Sequence, residues 1–103
     1  MKLYTVDGAL LTETPELRIG DKIYKVDNRK SAVMKANDLV KADQEHADEI
    51  LIRIHLGETA AKEITKMDLP LPAIKAILIN LRAAIEGITY EDAEKAYFRN
   101  AGV

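Results

Sequence analysis

Two histidines, one serine and a few crowded carboxylates are the side chains of this chain whose types allow chemistry. His46 stands beside Glu45, Asp48 and Glu49, a donor set that suits a divalent cation. Clusters of this kind are more often a solvated helix face, and His46 has no histidine at i+4 to complete a helical metal pair. His55 follows nine positions later, which turns it to the other side of any helix the two share. Ser31 is the only serine, and its basic neighbours include no nearby histidine to take its proton. There is no cysteine, which removes thiolate nucleophiles, thiolate metal sites and disulfides together. The five glycines are isolated, so no phosphate-cradling loop is formed. Glu91 and Asp92 are adjacent carboxylates, but they suit the first turn of a helix, where the dipole favours acids. No catalytic constellation, metal site or cofactor site emerges. The expectation is a protein that acts through its surfaces and is not an enzyme.

The elements that carry these residues follow from a change of hydrophobic period near residue 27. Before it, Glu16 to Val26 reads as two short strands around Gly20-Asp21. Glycine at the first central position suits a type II′ turn, which needs positive φ there. A two-residue loop sets Leu17 opposite Tyr24 and Ile19 opposite Lys22, and puts Leu17, Ile19, Tyr24 and Val26 on one face. An isolated hairpin is marginal in water, so that face must pack on helices. Leu3-Tyr4-Thr5-Val6 has the composition of a third strand, with Leu11 to Pro15 as a connecting loop.

Five helices are expected after the hairpin. Asp27 or Asn28 caps the first, which runs to about Ala42 on a stripe of Ala32, Val33, Ala36, Leu39 and Val40. The second runs from about Gln44 to Leu56, where Gly57 stops it. A short third covers Glu58 to Met67, and Asp68-Leu-Pro-Leu-Pro72 breaks the chain. The fourth runs from about Pro72 to Glu86 and ends at Gly87; the fifth starts at Thr89, whose hydroxyl caps it, and reaches about Arg99 before a short tail. The fold class is therefore α+β, mainly α. It is a single domain over 1–103, with a hairpin or three-stranded sheet in 1–26 packed on four to five helices in 27–100.

Two isoleucines depart from this pattern. At about 100° per residue, Ile52 lies off the Ile50/Leu51/Ile54 stripe and Ile79 off the Ile74/Leu78/Leu81 stripe. A helix with an apolar residue behind its core face is either buried on two sides or offers a contact surface. Tyr97 and Phe98, at the end of the last helix, either anchor a partner or close the core over the hairpin. Ile52, Ile79, Tyr97 and Phe98 are the partner-contact candidates that periodicity supplies.

Composition limits the remaining choices. The chain of 103 residues is 48% hydrophobic and 31% charged, as globular domains are. Its apolar runs are too short to span a bilayer, and charge enters the first residues too early for a signal peptide. The expectation is a soluble protein of the cytoplasm, without a membrane partner. A formal net charge of −2 argues against a general nucleic-acid binder. The charge is uneven, however: Lys22, Lys25, Arg29, Lys30, Lys35 and Lys41 precede the acidic run Asp43, Glu45, Asp48 and Glu49. Such a dipole either orients a partner or marks two solvated helix faces.

The order of Leu17-Arg-Ile-Gly-Asp-Lys-Ile-Tyr-Lys-Val26, a helix, Leu56-Gly-Glu-Thr-Ala-Ala-Lys-Glu-Ile64 and Ala83-Ala-Ile-Glu-Gly-Ile-Thr-Tyr-Glu-Asp-Ala93 resembles the tail assembly chaperones of long-tailed bacteriophages and prophages. The resemblance spans roughly residues 16 to 98 and contains no catalytic signature. It implies a non-enzymatic role in virion assembly. Such proteins coat the tape-measure protein, keep its apolar helices soluble, help recruit tail-tube subunits, and are absent from the finished particle. Two alternatives come from other classes: a self-associating structural or adapter protein without a client, and a DNA-binding regulator using Arg29, Lys30 and Lys35. The acidic balance and the lack of a clear helix-turn-helix pattern count against the regulator.

Overall fold

The computed structural model describes residues 1–100. The chain is α+β and mainly α: a short helix α1 (Gly8–Thr12), strands β1 (Glu16–Ile19) and β2 (Lys22–Lys25), then α2 (Lys30–Ala42), α3 (Ala47–Leu56), α4 (Glu58–Met67), α5 (Leu71–Glu86) and α6 (Tyr90–Asn100). The short tail expected after α6 lies outside the described residues.

The hairpin forms in the register set by its turn, with Leu17 opposite Tyr24 and Ile19 opposite Lys22. Gly20 has φ 61°, while Asp21 is not among the positive-φ residues. That combination fits a type II′ turn and not type I′, which needs positive φ at both positions. The Val26 N–H donates to the Pro15 carbonyl at 2.9 Å and extends the pairing by one step. Leu17, Tyr24 and Val26 are buried and Ile19 is half-buried, whereas Ile23 on the opposite face is exposed. Among the described residues the sheet has two strands. The third strand expected at Leu3–Val6 is not formed, and the loop expected from Leu11 begins inside α1. Asp7 explains the local helix: its Oδ1 accepts the Ala9 N–H at 3.0 Å, an N-cap for the turn that follows.

Helix boundaries follow their punctuation. Gly57 (φ 95°) ends α3, Gly87 (φ 68°) ends α5, and the Thr89 hydroxyl accepts the Asp92 N–H at 3.1 Å to cap α6. Two starts are later than the sequence suggested. α2 begins at Lys30, because the Asp27 carboxylate is turned to the Arg29 N–H and side chain and not to the helix's first turn. Residues Gln44–His46 form a separate 3-10 turn ahead of α3. Between α4 and α5, Asp68 takes a left-handed conformation (φ 46°) and Pro70 precedes the new helix.

The core gathers Leu17 and Val26 from the hairpin region, Ile52 from α3, Ile64 from α4, and Ile77, Leu78 and Leu81 from α5. Two helices are central. α3 is packed by α2, α4 and α5, and α5 by β1, α3 and α6. Ile52 (6% exposed) and Ile79 (3% exposed) are interior residues of these two helices. Of the two readings of the off-stripe isoleucines, burial on two sides describes this chain, and neither side chain presents surface to a partner. The reason is topological: a helix covered by three neighbours needs apolar residues around most of its circumference.

Candidate functional site

Among the described residues no hydrogen bond joins any two of the side chains singled out for chemistry, although Ser31 and His55 line the same concavity. His46 is exposed, and its Nδ1 lies 2.9 Å from the Asp43 carboxylate, which raises its pKa above the ordinary histidine value. Among the described residues no three histidine, cysteine or acidic side chains group as a metal site. His55 is 3% exposed and structural. Its Nδ1 donates to the Asp27 carbonyl at 2.7 Å, and the Asp27 N–H donates back to the His55 carbonyl at 2.8 Å. A carbonyl can only accept, so Nδ1 carries the hydrogen.

This clamp ties the end of the hairpin region to the end of α3, and it forms one wall of a concavity. Two adjoining cavities of about 370 and about 550 Å³ share Asp27, Arg29, Ile54 and Gly57, and so form a continuous trough. The larger part runs between α2 and α3, where Ala32, Leu39 and Ile54 supply an apolar floor. Positions 32, 35 and 39 recur at helical spacing, so a single face of α2 provides floor and rim together. Lys25, Lys35 and Arg53 stand exposed around the trough. Among the described residues none of these three is in an ion pair.

Arg29 is the fourth cation of the rim. Its Nε and Nη2 meet the two Asp27 oxygens at 2.9 and 2.8 Å. That fork holds the Asp27 carboxyl below the usual carboxylate range and uses up its charge locally. Glu58 is the other acid of the lining. The trough is thus cationic in a chain whose net charge is −2, and its floor is apolar. Ser31 and His55 also line it, and His55 Nδ1 is committed to the Asp27 carbonyl. Such a surface complements a segment that is apolar on one side and acidic on the other.

Of the contact candidates, Tyr97 is half-buried against the core and Phe98 is exposed, with the two rings edge to face at 5.6 Å. The trough brings in none of the four. Its basic residues belong in part to the run noted between Lys22 and Lys41, and its floor residues Ala32, Leu39 and Ile54 to the apolar stripes of the first two expected helices; Arg53 carries no sequence signal, and that these residues form one groove follows only from how the two helices pack. No family model, curated protein or solved structure matches this chain. No helix of the described residues is long and apolar enough to cross a membrane.

Proposed function

We propose that this chain is a non-enzymatic assembly chaperone of the phage or prophage tail type, which holds apolar helices of the tape-measure protein and aids addition of tail-tube protein. The observation that supports this reading is the trough, an apolar floor with an exposed cationic rim. A client helix that is apolar on one face and acidic at its edges matches it by shape and charge. Many weak contacts along one long partner would add by multivalency. In this reading the protein works in the host cytoplasm, needs no cofactor, and leaves before the particle is complete.

The test is co-expression with the tape-measure protein of the same genome. Soluble co-purification of the two, lost in a Lys35→Glu/Arg53→Glu variant with an unchanged circular dichroism spectrum, is the expected result. A tape-measure protein equally insoluble with and without this chain overturns the reading.

A further inference from the structure

The largest run of exposed apolar side chains lies ahead of the hairpin. Met1, Leu3, Tyr4, Val6, Leu10 and Leu11 are all exposed, and the least exposed of them, Val6, is at 62%. Helix α1 buries none of its residues. A helix this short has little stability of its own in water, and a contiguous apolar surface marks a contact. From Val6 to Glu13 the segment carries Asp7 and Glu13 and no basic residue. It is a short, apolar, acidic helix, which is the chemistry that the trough complements.

The arm does not fill the trough of its own chain. Thr14, at its root, lines the smaller cavity, but no residue of α1 lines either part. Glu13 is extended (φ −69°, ψ 130°), and Pro15 restricts Thr14 to extended backbone as well. The chain accordingly measures 56 × 32 × 27 Å. Its radius of gyration of 14.9 Å exceeds the roughly 13 Å of a compact domain of this length.

We propose that the arm of one copy, residues 6–13, docks in the cationic trough of a second copy, with Leu10 and Leu11 on the floor formed by Ala32, Leu39 and Ile54 and the arm's acids facing Lys35 and Arg53. Because each arm is rooted at the lip of its own trough, two copies placed lip to lip exchange arms over a short span. The exchange is self-complementary, so it closes as a two-fold dimer and does not propagate. Under the client-binding reading, arm and client compete for the same trough. The dimer needs only the purified chain, so its failure leaves that reading untouched.

Sedimentation velocity over a concentration series tests the proposal. The wild-type chain is expected to dimerise, less tightly as salt is raised. Leu10→Asp/Leu11→Asp, Lys35→Glu/Arg53→Glu and Glu13→Lys are each expected to weaken the dimer by about tenfold or more. All five positions are exposed and none of their side chains caps α1, so the fold is retained; circular dichroism checks this. Combining the two charge reversals in one chain is expected to restore the dimer. A wild-type monomer at every concentration overturns the proposal, and that outcome includes an arm folded into its own trough. A dimer indifferent to the arm substitutions, or one not restored by the combined reversal, overturns it equally.

Discussion

The backbones of Asp27 and His55 hold each other: the Asp27 N–H donates to the His55 carbonyl at 2.8 Å, and the His55 ring returns a hydrogen bond to the Asp27 carbonyl at 2.7 Å. The ring is almost fully buried, so water cannot replace it. His55→Phe keeps much of the volume but leaves a carbonyl unpaired, and is expected to lower stability by about 1–3 kcal/mol. His55→Ala adds a cavity and is expected to cost more than the Phe variant. Urea unfolding of the two variants checks both the sign and the order.

A second tie joins the hairpin to α4. Glu63 Oε2 lies 2.5 Å from Lys22 Nζ and accepts the Tyr24 hydroxyl at 2.9 Å. The Lys22 hydrogen bond, with that of Tyr24, holds the Glu63 carboxyl below its usual range, so its contribution is present above the ordinary glutamate value and fades as pH falls through the lowered one. Lys22 is raised by its bond to Glu63, and Tyr24 is raised first by burial and then by Glu63. Both contributions are complete below about pH 10 and fade above it. The unfolding midpoint of Glu63→Gln is therefore expected to fall less than that of the wild type between pH 6 and pH 3. Equal acid sensitivity of the two proteins would show that the tie contributes nothing.

Ile79 was a contact candidate by periodicity and is an interior residue by structure. Ile79→Ala and Ile52→Ala are each expected to destabilise by about 2–5 kcal/mol, the range for buried isoleucine or leucine truncation. Denaturant unfolding checks this, and stabilities within error of the wild type would return both residues to the surface. Charged substitutions at either position unfold the chain and cannot serve as binding tests.

Gly57 and Gly87 end helices in different ways. At Gly57, φ 95° and ψ 161° lie in a region essentially reserved for glycine, although a Cβ there would meet no atom within 4 Å. The expected cost of Gly57→Ala, about 1–3 kcal/mol, is therefore purely conformational. Gly87 is left-handed at φ 68°, ψ 34°, a conformation asparagine tolerates, and Gly87→Asn is expected to cost about 1 kcal/mol or less. Thermal unfolding should rank the two variants in that order.

Features encoded by local punctuation were legible in the sequence. The Gly20-Asp21 turn, the stop at Gly57, the break around Pro70 and Pro72, and the Thr89 cap each act within a few residues, and each stands where its residue types place it. The region before the hairpin was misread because Leu3–Val6 has strand composition but no partner strand beside it, and because α1 is too short to show a period. Its one local signal, the aspartate cap ahead of Gly8, is easily overlooked. The trough was legible in its parts, a basic run and two apolar stripes, but not as a groove. Its floor joins Leu39 to Ile54 and its rim joins Lys35 to Arg53, and both pairs meet only when α2 folds back on α3. The partner of His55 is likewise not signalled in the sequence, since Asp27 comes beside it only in the fold.

The order of contacts along the chain has a kinetic consequence. α2 pairs with α3, α3 with α4, and α5 with α6, each with its neighbour in sequence. The packing of β1 on α5 closes a loop of roughly fifty residues, whose chain entropy opposes it by about 3 kcal/mol. The neighbouring helix pairs are therefore expected to assemble early and the hairpin to dock late, since distant pairings delay folding. In reverse, the hairpin is the element expected to leave first. Native-state hydrogen exchange should find the Ile19 and Tyr24 amides opening at lower free energy than those of Leu78 and Leu81. A body assembled by neighbours is latched by its most distant pairing, and the lifetime of the folded chain is set at that latch.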